Sequence, residues 1–121
     1  MLNKVILIGN LGRDPEVRYF DNGVAKATFP IATSETYKNK SGERVTQTEW
    51  HNIVVWRGLA EVVEKYVKKG DRIYIEGKIR SRSYDDKDGV KRFVTEIVTD
   101  NLQMLGGKPQ GSADNQESTS S

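Results

Sequence analysis

Residues 47–70 read QTEWHNIVVWRGLAEVVEKYVKKG, and the hydrophobic period changes once inside this stretch. Gln47 to Arg57 is rich in Trp, Val and Ile, the composition of a strand. From Leu59 the apolar residues recur as Leu59, Val62, Val63, Tyr66 and Val67, the i, i+3, i+4, i+7, i+8 spacing of one helix face. Glu61 and Glu64 lie toward the start of that helix, and Lys65, Lys68 and Lys69 toward its end, which complements its dipole. Gly70 stands where a helix-ending glycine is expected.

Outward from this helix the chain reads as strand on both sides. Before it come a β-rich run from Asn3 to Leu11, broken at Gly9, and an extended continuation Val17 to Phe20 beyond the Gly12-Arg13-Asp14-Pro15 turn. Asp21-Asn22-Gly23 is a hairpin signal, and Val24 to Glu35 is the second strand, its Pro30 pointing to an edge or a bulge. Thr36 to Thr46 reads as a polar loop, and Gln47 to Arg57 is the third strand. After the helix, Arg72 to Tyr84 is a fourth strand, Asp85 to Gly89 a hairpin loop, and Val90 to Leu105 a fifth strand. The expected class is all-β with one helix. Five strands with the helix between strands 3 and 4 is the element order of an OB-fold Greek-key barrel, a scaffold for oligonucleotides or oligosaccharides. The domain is set at 1–105. Residues 106–121 open on Gly106-Gly107-Lys108-Pro109-Gln110-Gly111 and then hold no apolar residue except Ala113, so they read as a disordered tail.

Composition narrows the chemistry. The 121 residues are 30% charged and 36% hydrophobic, enough for one modest core. The longest early apolar run is Val5-Ile6-Leu7-Ile8, far below a membrane span, and no signal-peptide pattern follows Met1, so an intracellular protein is expected. With no cysteine, thiol nucleophiles, disulfides and cysteine metal sites are excluded, and one histidine, His51, leaves no two-histidine site. Neither G-x-x-x-x-G-K-[ST], G-x-G-x-x-G nor G-x-S-x-G occurs, and no cofactor is implied. The +2 net charge is uneven: 19 cationic and 15 anionic residues lie at or before Lys108, and Asp114 and Glu117 follow. The body is mildly basic, suited to an anionic partner.

Strand parity then sorts the candidates. In the fourth strand Ile73, Ile75 and Ile79 form an apolar face assigned to the core, while Lys78, Arg80, Arg82 and Tyr84 line the other. Trp50 and Trp56 share one parity of the third strand, and Tyr37, Lys38, Lys40 and Arg44 cluster in the polar loop. Cations beside flat rings suit single-stranded nucleic acid, whose phosphates release counterions to Lys and Arg and whose bases stack without regard to identity. A duplex hides its base faces, and the one helix spends its apolar stripe on packing rather than on a major groove. Plainer readings stand beside these. Trp50 and Trp56 could be core residues, and the basic face could simply be solvated. His51 could be structural rather than the base of a small hydrolase. Asp85, Asp86 and Asp88 fit a turn, since the calcium-loop pattern is not met, and no metal site is assigned.

Beyond these patterns, the chain resembles the bacterial single-stranded DNA-binding proteins of the homotetrameric type over about 1–107. The resemblance is carried by Asn3-Lys4-Val5-Ile6-Leu7-Ile8-Gly9-Asn10-Leu11-Gly12, Asp14-Pro15-Glu16-Val17-Arg18-Tyr19, Ala32-Thr33-Ser34-Glu35 and Thr48-Glu49-Trp50-His51. Leu59-Ala60-Glu61-Val62, Tyr74-Ile75-Glu76-Gly77 and Gln103-Met104-Leu105-Gly106-Gly107 complete it. It implies a non-enzymatic, sequence-independent binder of single-stranded DNA in replication, recombination and repair. Stacking falls to Tyr37, Trp50, Trp56 and Tyr84, and phosphate contacts to Lys38, Lys40, Arg57, Arg72, Arg80, Arg82 and Arg92. Asn3, Val5, Leu7, His51 and Tyr74 fall where such proteins build subunit contacts, pairing near the first strand covering an exposed edge. Relatives often carry tryptophan at Tyr37 and Tyr84, and phenylalanine at Trp56. The implied setting is the bacterial cytoplasm and nucleoid, with no membrane. An OB-fold accessory factor working mainly through protein contacts is the alternative. Relatives also end in an acidic peptide closed by Pro-Phe on which replication and repair proteins dock, whereas this sequence ends Ser118-Thr119-Ser120-Ser121. Either the tail is short by nature or the tip has been lost; replication and repair proteins stay open as partners, without that docking tip in this sequence.

Overall fold

In the computed structural model, which describes residues 1–105, six strands and one helix follow in order. They are β1 (Val5–Leu11), β2 (Glu16–Tyr19), β3 (Ala25–Lys38), β4 (Arg44–Trp56), α1 (Arg57–Tyr66), β5 (Arg72–Asp85) and β6 (Lys91–Met104). Hydrogen-bonded neighbours run β1-β5-β6-β4-β3-β2, and β1 also pairs with β3. Five strands, β1-β5-β6-β4-β3, thus close a barrel as expected for an OB fold, and β2 lies outside the ring. The helix falls between β4 and β5 only because the short β2 adds one to the count.

β1 and β2 share one edge of β3 in succession. β2 pairs from Glu16↔Thr28 to Tyr19↔Ala25, and β1 pairs at Asn10↔Ala32 and Leu11↔Ile31. Pro30 falls in the gap between them. Its carbonyl accepts a hydrogen bond from the Gly12 N–H at 3.1 Å, so the N–H that proline lacks would also have faced this gap. Proline therefore costs no ladder bond here.

Alternation builds the core. Ala25, Ala27, Phe29 and Ile31 of β3, Ile53 and Val55 of β4, Ile73 and Ile75 of β5 and Ile97 of β6 turn odd-numbered side chains inward, where they are buried with Leu11. At about 25 cal/mol per Å² of apolar surface, this shared interior is the main stabilising contribution. Ile79 departs from the expected pattern: the β1–β5 ladder ends at Val5↔Gly77, so Ile79 stands 47% exposed on the rim. The helix also buries a narrower stripe than its periodicity suggests. Ala60, Val63 and the capping Val67 are buried on the barrel, whereas Val62 and Tyr66 face solvent. Nor does Gly70 end the helix. Val67 is the extended cap residue, and Gly70 (φ +88°) lies in the turn that feeds β5.

β3 and β4 run further than the polar sequence between Thr36 and Thr46 indicates. Their ladder continues through Tyr37↔Val45 to Lys38↔Arg44, leaving residues 39–43 as the connection. Both faces of this arm are largely in water, so no apolar alternation marks it. Cross-strand hydroxyl pairs mark it instead, with Ser34 Oγ 3.1 Å from Thr48 Oγ1 and Thr36 Oγ1 3.3 Å from Thr46 Oγ1. β5 and β6 form a second arm, paired to Asp85↔Lys91. The two arm tips are built alike. Asn39 Oδ1 accepts from the Ser41 and Glu43 N–H groups, each at 3.0 Å. Asp86 Oδ1 accepts from those of Asp88 and Val90 at 2.9 and 3.0 Å. Gly42 (φ +81°) and Gly89 (φ +76°) supply the left-handed residue that each tip requires. No helix among the described residues is long and apolar enough to cross a membrane.

Candidate nucleic-acid interface

Because Ile53 and Val55 point into the barrel, the even-numbered Trp50 and Trp56 point out of it. Trp50 is 57% exposed and Trp56 39% exposed, so neither is a core residue. The Trp50 ring lies over the bare backbone of Gly12, where a Cβ would come within 2.5 Å of its Cζ3 and 2.7 Å of its Cη2. Trp56 is held differently. The Phe20 ring stacks beside it with centroids 5.9 Å apart and planes at 28°, and Lys26 Nζ lies 5.3 Å from the Trp56 centroid. Lys26 and Trp56 are direct cross-strand partners, as are Arg18 and Lys26.

The register extends this outer face to the other arm. Val54↔Val98 and Lys78↔Val98 put the even positions of β4, β6 and β5 on one side of the sheet. Arg80, Arg82 and Tyr84, the last opposite Arg92, therefore share a face with both tryptophans. Tyr84 is 47% exposed. Tyr37 does not join them. It is odd-numbered and pairs with Val45, so it projects, 46% exposed, from the reverse side of the β3–β4 arm, while Lys38 beside it projects with the tryptophans.

Two of the predicted phosphate cations already hold carboxylates. Arg82 donates from Nε and Nη2 to Glu96 Oε2, both at 3.1 Å. Arg92 Nε donates to Asp86 Oδ2 at 2.8 Å. That guanidinium, followed by the Val90 and Asp88 backbone N–H groups, holds the Asp86 carboxyl below its ordinary range. Asp86 is thus a turn former and Arg92 anchor, in line with the turn reading of the Asp85–Asp88 cluster. Arg80 and Lys40 are exposed and appear in no ion pair among the described residues. Arg57 follows Trp56 directly, in a left-handed conformation (φ 60°) at the first turn of α1. Arg72 is set apart. It pairs with Asn10 at the far end of β5, about 26 Å along the strand from Arg80 at the usual rise per residue.

The residues expected at subunit contacts divide. Val5 and Leu7 are half-buried against the core, and the side chains that β1 gives to solvent are Ile6 (56% exposed) and Ile8 (47%). Parity decides this, since inward and outward positions alternate along β1. Asn3 serves its own chain: its Nδ2 donates to the Ile79 carbonyl and its Oδ1 accepts from the Ile79 N–H, both at 3.0 Å. Tyr74, opposite Ile8, donates to Glu76 Oε1 at 3.2 Å, and burial raises its phenol above the ordinary range. Lys4 also pairs with Glu76, whose carboxyl this contact lowers. His51 Nε2 lies 2.9 Å from Thr33 Oγ1, a hydroxyl partner rather than the carboxylate a hydrolytic base would use. No group of three His, Asp or Glu side chains among the described residues could hold a metal.

Phe20, Lys26, Arg18 and Gly12 join this surface without having stood out as candidates in the sequence. Phe20 carried a signal, an aromatic next to a polar turn. Lys26 carried none, because only the ladder brings it across to Trp56.

Known proteins match the chain over this same domain. One relative is the single-stranded DNA-binding protein of Neisseria meningitidis serogroup A, 55% identical over 111 residues, covering 92% of this chain and 64% of the relative. Another is that of Bacteroides thetaiotaomicron, 57% identical over 109 residues, covering 88% and 68%. The chain thus spans about 64% of the length of the Neisseria protein. Among solved structures, the Plasmodium falciparum SSB complex with ssDNA superposes with a TM-score of 0.80 at 33% identity, covering 87% of this chain and 96% of that one. The model of the single-strand binding protein family matches residues 2–105, and the chain belongs to that family.

Proposed function

We propose that this chain binds single-stranded DNA irrespective of sequence, protecting it in replication, recombination and repair without catalysing a reaction. The observation that carries the reading is the outer face shared by Trp50, Trp56, Tyr84, Arg80, Arg82 and Arg92, with exposed rings among cations. Bases stack on those rings and on Tyr37, each stack being worth about 1–3 kcal/mol. Arg80, Arg82, Arg92, Arg57, Lys38 and Lys40 take phosphates, and Arg72 serves only a strand that continues round the barrel. Binding single strands alone shifts duplex melting by mass action.

Assembly into a homotetramer belongs to the same proposal. Exposed Ile6 and Ile8, next to Tyr74, offer a face that a second copy could cover, and linked barrels would add avidity. A cytoplasmic, nucleoid-bound setting follows from the ligand. The deciding experiment titrates poly(dT) against intrinsic tryptophan fluorescence at several salt concentrations, with duplex DNA as control. Quenching by single strands that weakens with salt is the expected result. Absence of binding at low salt would refute the reading. Light scattering checks the assembly, which a monomer at micromolar concentration contradicts.

A further inference from the structure

We propose that the bound strand crosses β3 to a further nucleotide subsite at the β2–β3 hairpin, in which Phe20 and Trp56 hold a base and Lys26 and Arg18 hold its phosphate. This rests on the single-stranded DNA reading and extends it from Trp56 to Phe20, Lys26 and Arg18, which lie outside the track that the tryptophans and the β5–β6 arm define.

Three observations carry the proposal. First, the register lines up Arg18, Lys26 and Trp56 as successive cross-strand partners on one face of three adjacent strands. Strand spacing sets the backbones of neighbouring members of that row about 4.8 Å apart. Second, the Phe20–Trp56 pair is poorly explained as packing. Phe20 is 41% exposed and Trp56 39%, so the stacked rings leave much of their area in water. A packing pair would bury that area, whereas a platform leaves it for a flat ligand. Third, neither Arg18 nor Lys26 is in an ion pair among the described residues, although both line a cleft with Glu16 and Glu96.

That cleft holds about 180 Å³ and is also lined by Thr28 and Arg82. It has room for roughly six waters, hence for a hydrated phosphodiester group. Its acidic members weigh little against an anion in different ways: Glu96 is already bound to Arg82, and Glu16 sits one row beyond Arg18, paired with Thr28. Arg82 links the cleft to the β5–β6 arm, so one backbone can pass from Arg82 to Lys26 and Arg18 along a lining in which three cations outnumber two carboxylates. Lys26 Nζ, already held over the Trp56 ring, stands beside the base it would serve.

The test compares the full chain with Lys26→Gln, Arg18→Gln, Phe20→Ala and, as control, Lys65→Gln on the helix. Binding of dT oligonucleotides is measured from 50 to 300 mM salt alongside thermal melting. Each cation replaced in the subsite should flatten the log–log salt slope by about 0.7, and Lys65→Gln should leave it unchanged. Phe20→Ala should weaken binding about fivefold or more. Should Phe20→Ala lower the melting temperature, Phe20→Leu, which keeps apolar bulk without a flat ring, must still show the loss. Parental slopes and affinities in all three subsite variants would overturn the subsite while leaving the single-stranded DNA reading intact. Failure of the parent chain to bind any oligonucleotide would overturn both.

Discussion

Replacing Gly12 with alanine tests whether the Trp50 ring is positioned or merely present. The new Cβ would lie 2.5 Å from Cζ3, and ordinary contact begins at 3.4 Å, so the ring must retreat by roughly 1 Å. Its far side is solvent, as 57% exposure indicates, so it can do so without disturbing the core. The Gly12 backbone does not have a positive φ, and alanine there should be neutral or slightly stabilising, by up to about 1 kcal/mol through the unfolded chain. Binding should move the other way. A gap of 0.5–1 Å forfeits about a quarter to a half of a contact's attraction. Applied to a stack of about 1–3 kcal/mol, that is a loss of about 0.3–1.5 kcal/mol, or two- to tenfold in affinity. Trp50→Ala should lose the whole stack. The assay is tryptophan quenching by dT oligonucleotides, paired with denaturant unfolding of each variant. Parental affinity in Gly12→Ala, with its stability intact, would refute the idea that contact with Gly12 aims the ring.

Other outcomes follow from the same geometry. Glu96→Gln frees Arg82 from its carboxylate, so binding should tighten at low salt and the salt slope should steepen by about 0.7; an unchanged slope counts against competition between Glu96 and phosphate. Tyr37→Ala, at an exposed position, should cost about 1–3 kcal/mol of binding with little change in melting temperature. The Asp86 carboxyl is lowered in the folded state, so its stabilisation is present above its ordinary pKa near 3.8 and is lost as pH falls through the folded value. Asp86→Asn should therefore flatten the acid side of the melting-temperature profile, measured by circular dichroism between pH 5 and 2.5. On the helix, Val63→Ala should cost about 1–3 kcal/mol in denaturant unfolding, and Val62→Thr less than about 0.5, because only Val63 is buried.

The barrel was legible in sequence where a core enforces alternation. Phe29, Ile31, Ile53, Val55, Ile73 and Ile75 keep strict parity because each must reach the same interior. The arms were less legible, since residues such as Thr36 and Thr46 bury nothing and are fixed by pairing alone. The same limit applies to the site. Trp50, Tyr37 and Tyr84 stand out as large rings in polar surroundings, whereas Trp56 follows Ile53-Val54-Val55 and reads equally as core, and sequence does not reveal which of the four share a face. Lys26 and Trp56 lie far apart along the chain and become neighbours only through the β3–β4 ladder. Val5 and Leu7 show the converse: both parities of Val5-Ile6-Leu7-Ile8 are apolar, so sequence does not reveal which side chains β1 turns to solvent.

The placement of Tyr37 on the reverse of the β3–β4 arm bears on how long a ligand must be. A polymer that touches both Trp50 and Tyr37 has to turn round the edge or tip of a two-stranded ribbon. Its contour length then exceeds the straight distance between the rings. Short oligonucleotides are confined to one side and should leave the other in water, so affinity should rise with length in a step rather than evenly. Inside that step the strand is bent, and a stiff ligand of equal charge, such as a duplex, cannot follow it.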